Sequence, residues 1–173
     1  MRIRRKIVLF LLLLICFIVQ GTFLKVIAIG SISPNLILIF VVSFGFMRGK
    51  KEGMFVGFFC GLLIDIFYGN MIGFYALIYM YIGFGNGFLY KIFFDEDVKV
   101  PMVLVAGSDI AYGVLVYGLQ FMLRGRLDFF SYLQHIILPE MVYTVLLTAV
   151  LYRPLYRLNR WLTENEWEGP KLP

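Results

Sequence analysis

Apolar runs broken by short polar turns make up most of the chain. After the basic start Arg2, Arg4, Arg5 and Lys6, an apolar run covers 7–24. A mixed stretch from Lys25 to Ser33 follows, and Pro34 opens a second run over 34–47. Proline suits a first helical turn, where its missing N–H has no intrahelical partner anyway. The turn Arg48-Gly49-Lys50-Lys51 separates it from a third run over 53–67, which breaks at Tyr68-Gly69-Asn70. A fourth run covers 72–94 and ends at the polar link from Asp95 to Lys99. A fifth covers 100–123, and Arg124-Gly125-Arg126 closes it. A sixth covers 132–152 with Pro139 inside, and Pro154 begins a polar tail over 154–173. About 20 apolar residues cross a bilayer as a helix, fewer within a bundle. The pattern therefore predicts an all-α, six-helix membrane bundle forming one domain. No small-residue cleavage site follows the first run, so it is read as an uncleaved helix and not as a signal peptide.

Composition supports this class. Hydrophobic residues are 61% of the chain and charged residues 16%, with a mean hydropathy of +0.84. With glycine included, the apolar share is about 70%, against roughly 45–50% for soluble domains, which excludes a water-soluble globule. The net charge of +5 could suggest nucleic acid, but the placement of the charges speaks for topology instead. With six spans and a cytoplasmic N-terminus, thirteen of the sixteen basic residues fall on the cytoplasmic side. Only Lys25, Arg124 and Arg126 fall outside, an asymmetry of the kind that orients membrane proteins. Both termini are then cytoplasmic. The loops are too short to fold as separate units, so a soluble catalytic domain would have to belong to a partner.

Chemistry is sparse. Cys16 and Cys60 lie within apolar runs and read as small hydrophobes. The single His135 has no neighbouring ligand residue, and no G-x-S-x-G, H-E-x-x-H or calcium-loop pattern occurs. A stand-alone enzyme, a metal site and a cofactor site are not expected. Most acidic residues lie in turns or the tail, but Asp65, Asp109 and Glu140 lie inside apolar runs. Carboxylates at bilayer depth face the protein interior and are paired or functional. The topology places Asp65 and Glu140 at a common level in the outer half and Asp109 nearer the midplane. Gly53, Gly57 and Gly61 recur every four residues, and Asp65 continues their face, so a second helix can approach closely there. Gly83 with Gly87 and Gly107 with Ala111 repeat the spacing. Arg153, Arg157 and Arg160 share a helical face beside Tyr152, Tyr156 and Trp161, which suits an anchor on anionic lipid.

Four stretches together resemble a known family: Pro34-Asn35-Leu36; Arg48 to Gly53; Gly57 to Asp65 with Gly69 and Gly73; and Leu138-Pro139-Glu140 with Tyr143. They are similar to the rod shape-determining protein MreD. Asn35 stands where that family often has aspartate, which keeps a polar cap without the charge. The resemblance implies a non-enzymatic membrane subunit of the bacterial cell-elongation machinery, supporting cell shape and lateral peptidoglycan synthesis. It implies association with MreC, and through it with RodA, a class B penicillin-binding protein and, indirectly, MreB. It also implies a fold like the S components of energy-coupling-factor vitamin transporters. Beside it, the residues predict a groove shaped by Pro34, Asn35, the Gly53-Gly57-Gly61 face, Asp65, Pro139 and Glu140 that holds a partner helix. The alternative is an S component-like protein using the buried carboxylates in a ligand pocket. The first helix lacks the A-x-x-x-A packing pattern of such proteins. A proton-coupled carrier would be a third reading, but no internal inverted repeat is visible.

Overall fold

The computed structural model describes residues 2–26, 32–69, 71–91, 98–120 and 129–167, and the described residues are helical with no strand. The helices are α1 (Arg2–Val26), α2 (Leu36–Arg48), α3 (Lys50–Tyr68), α4 (Phe74–Gly87), α5 (Lys99–Gln120), a one-turn α6 (Phe129–Tyr132) and α7 (Leu138–Trp167). A 3₁₀ turn, Phe88–Lys91, extends α4, and a π turn, Leu133–Ile137, joins α6 to α7. Two helical stretches are long and apolar enough to cross a membrane: Lys99–Gln120 and Phe129–Glu164.

The centre of the bundle is α2. Every residue from Leu36 to Met47 is buried, as expected for a helix that is apolar all round. It packs against α1, α3, α4, α5 and α7. Its 13 residues rise only about 20 Å, less than the roughly 30 Å of hydrocarbon in a bilayer. Its polar ends are satisfied inside the protein instead. At the first turn, Ile37 N–H donates to Gln20 Oε1 of α1 (2.8 Å) and Leu38 N–H to Asn35 Oδ1 (3.0 Å), which fills donors a helix start leaves open. At the other end, the buried Arg48 side chain donates to Asn159 Oδ1 of α7 and pairs with Glu52. The start of α2 therefore marks one end of the bundle. The α2–α3 turn and the last turns of α7 share the other.

Three boundaries differ from the sequence expectation. The basic turn is a single linking residue, Gly49, at φ +92°, and Lys50 and Lys51 already belong to α3. Pro34 precedes the cap residue Asn35 and so stands outside α2, not in its first turn. Pro154 does not end the last helix, because α7 continues through it to Trp167. Tyr152, Asn159 and Leu162 are buried on both sides of the proline, and that packing holds the helix where the lost hydrogen bond would favour a break. Residues 95–97, Arg124, Arg126 and the tail beyond Trp167 lie outside the described residues.

Candidate functional site

The glycine face is a seam within the protein. A Cβ at Gly53 would lie 2.4 Å from the carbonyl oxygen of Gly83; at Gly57, 2.2 Å from that of Tyr79; at Gly61, 2.3 Å from that of Tyr75. Gly83 and Gly87 of α4 face Gly53 and Lys50 in the same way. The expectation that Gly53, Gly57 and Gly61 line an open groove is corrected: α4 of the same chain fills it. By contrast Gly107 meets nothing within 4 Å among the described residues, so the pairing expected from Gly107 and Ala111 is not used among them.

Asp65 completes this seam. Its Oδ2 accepts from Gly73 N–H (2.9 Å) and Ala76 N–H (3.0 Å), and its Oδ1 from Tyr75 N–H (2.9 Å). Gly73, at φ +99°, lets the chain turn so that these donors converge. Asp65 thus caps the positive end of α4, with both carboxyl oxygens engaged within the chain. It is not the companion of Glu140, whose charged neighbour is Asp109.

Asn35 is a hub at the same end of the bundle. Its Oδ1 also accepts from the Tyr79 hydroxyl (3.0 Å), and its N–H donates to Thr144 Oγ1 (3.1 Å). The Thr144 hydroxyl in turn donates to the Glu140 carbonyl oxygen (2.8 Å). α2, α4 and α7 are thereby tied together around one residue. Asp109 of α5 is 2% exposed, and neither carboxyl oxygen has a hydrogen-bond partner among the described residues. Thr144 stands beside it, and its rotatable hydroxyl can serve either the Asp109 carboxyl or the Glu140 backbone carbonyl oxygen. Asp109 and Glu140 both act electrostatically on Tyr79, and Glu140 acts on Tyr112. Thr144, Tyr79, Tyr112 and Gln20 were not singled out from the sequence. Neutral polar groups inside apolar runs are the signal that points to them.

Pro139 lies on the outside of α7. It cannot donate to the carbonyl four residues back, and the π turn immediately before it, closed by Leu138 N–H to Leu133 C=O, absorbs the mismatch. Beside it an apolar groove of about 480 Å³ is lined by Ile32, Leu138, Pro139, Val142, Tyr143 and Leu146. Val142 and Leu146 are more than half exposed. Pro139 therefore belongs to an open groove, separate from the glycine seam. His135 lies in the π turn, its Nδ1 3.0 Å from the Ser131 carbonyl oxygen. At the far end Arg153, Arg157 and Arg160 are exposed along one face with Trp161, and Arg160 pairs with Glu164 (2.8 Å). Tyr152, expected in that interfacial anchor, is buried instead.

The family model described as rod shape-determining protein MreD matches residues 1–162. No match was found among curated proteins or among solved structures.

Proposed function

The chain belongs to the MreD family of membrane proteins that determine rod shape, and from that premise we propose that it works as a helix-docking subunit of the cell-elongation complex. Its partner is the transmembrane helix of MreC, and its docking surface is the groove beside Pro139. Through MreC it is linked to RodA, a class B penicillin-binding protein and, indirectly, MreB, and so supports lateral peptidoglycan synthesis. It acts without catalysis of its own. The observation that carries the reading is the groove: a concave apolar surface on a helix long enough to cross the membrane. In lipid, helices associate through close packing and not through the hydrophobic effect, so a preformed concavity favours one partner over bulk lipid.

In this reading the chain spans the cytoplasmic membrane six times with both termini inside. The Arg48–Asn159 contact supports it, because it joins the basic α2–α3 turn to the basic end of α7 at one end of the bundle. Arg153, Arg157 and Arg160 then meet the anionic inner leaflet. An S component-like fold is compatible with the helix count. Vitamin binding is less well supported: a half-open pocket at the opposite end holds about 210 Å³, below the roughly 300–1,000 Å³ of drug-sized ligand pockets.

The test fills the groove. Val142→Trp should reduce co-purification with MreC at least tenfold while thermal stability in detergent stays within about 2 °C of the parent. Val103→Trp, on an exposed α5 position, is the control. Undiminished MreC recovery with Val142→Trp would remove the groove assignment.

A further inference from the structure

The α3–α4 hairpin turns an apolar, largely aromatic face outward. Phe55 and Phe59 of α3, Leu77 and Tyr81 of α4, and Phe88 of the 3₁₀ turn are each at least half exposed. This face is short. α3 and α4 are joined by a turn that ends at Gly73, at φ +99°. Irregular backbone open to lipid does not occur in the hydrocarbon region, so the turn lies at its outer boundary. At the other end, Lys50 Nζ stands 3.4 Å from the centroid of the Phe88 ring. An ammonium on a lipid-facing surface stays with the headgroups, so it fixes the level of Phe88 at the inner boundary. Between these limits, Phe74 to Phe88 rises about 22 Å. On α3, Gly53 to Tyr68 rises about 24 Å between Glu52 and Gly69. Tilting the hairpin would lower both heights. α5 differs: Val100 to Leu119, between Lys99 and Gln120, rises about 30 Å, the hydrocarbon thickness of an ordinary bilayer.

Given the six-span arrangement proposed above, on which this inference rests, we propose that the outward face of the α3–α4 hairpin is a lipid-sorting surface. It thins the bilayer beside it and gathers phospholipids with short acyl chains, while α5 meets a bilayer of full thickness. A span shorter than the surrounding hydrocarbon is accommodated by local thinning, and that cost is least for the shortest chains at hand. The face lies on helices other than the one that carries the groove beside Pro139, so its failure would leave the docking role untouched.

The experiment uses the full chain in vesicles of dimyristoleoyl and dierucoyl phosphatidylcholine in equal amounts. The chain's two tryptophans are first replaced, Trp161→Phe and Trp167→Phe. One reporter is then Tyr81→Trp, midway along α4, and the other Ile110→Trp, midway along α5; both positions are exposed. Each reporter is read twice, once with the short lipid brominated at its double bonds and once with the long lipid, because bromine quenches tryptophan on contact. The ratio of short-lipid to long-lipid quenching should be at least twofold higher at Tyr81→Trp than at Ile110→Trp. Equal ratios at the two positions would overturn the proposal and leave the spanning arrangement intact. Weak quenching at Tyr81→Trp by either lipid, beside strong quenching at Ile110→Trp, would show that protein covers the hairpin and would overturn it as well. Weak quenching at both positions would remove the spanning arrangement, and the proposal with it.

Discussion

Replacing Gly57 by alanine tests the α3–α4 seam. The new Cβ would stand 2.2 Å from the Tyr79 carbonyl oxygen, 2.7 Å from its carbon and 3.1 Å from the Met80 Cα, all backbone atoms. Ordinary contact begins near 3.5 Å, so the two helices must separate by roughly 1 Å. No rotamer change can absorb this. Gly53 and Gly61 lie on the same rigid face, so separation at Gly57 loosens their contacts as well. Overpacking of this kind costs about 1–3 kcal/mol. Alanine also gains up to about 1 kcal/mol of helix propensity over glycine, which partly offsets the cost. Gly107→Ala isolates that gain, because a Cβ there meets nothing among the described residues. The difference between the two variants is therefore the packing term alone. At about 2–4 °C per kcal/mol for a chain of this size, Gly57→Ala should melt roughly 2–12 °C below Gly107→Ala. Scanning fluorimetry of both purified proteins in maltoside measures it. Midpoints that agree within about 1 °C would refute the seam.

Two other changes follow from the polar contacts. Asp65→Asn leaves one oxygen acceptor where two now serve three backbone donors, and should cost about 1–3 kcal/mol, read as a lowered melting temperature and protease cleavage near Gly69. Arg48→Ala strands the buried Asn159 and should cost about 1–3 kcal/mol, whereas Arg160→Ala removes an exposed ion pair and should change stability by less than about 1 kcal/mol. Equal losses in the two arginine variants would contradict the burial argument.

The helical class and the breaks at Gly49 and Gly69 were legible in the sequence because a bilayer-scale apolar pattern leaves few alternatives. The four-residue glycine spacing announced a close helix approach correctly. It could not say whose helix would come, since α4 and a partner helix present the same kind of surface. The burial of Asp65 was legible, but its role was not. That role depends on a turn at Gly73 whose φ no spacing rule supplies, and the turn converts a suspected interface residue into a cap. Pro154 misled because a local breaker was weighed without the packing of Tyr152, Asn159 and Leu162 around it. The hub at Asn35 was half visible. Its capping of α2 follows from Pro34-Asn35-Leu36, whereas its bond to Thr144 crosses 109 residues of sequence.

That separation has a consequence in time. The central helix is the second to leave the ribosome, and although Gln20 and Asn35 are already made to satisfy its first turn, Thr144 and Asn159 of α7 come late. Arg48 waits 111 residues for Asn159. At about 5–20 residues per second of synthesis, the wait is roughly 6–22 s. Throughout it, the innermost element of the finished protein lacks the α7 wall of its casing. Nascent chains stopped before residue 144 lack Thr144 and Asn159 and should be exposed to quality-control proteases. The interior of this bundle is closed last, by the segment that also lines the apolar groove beside Pro139.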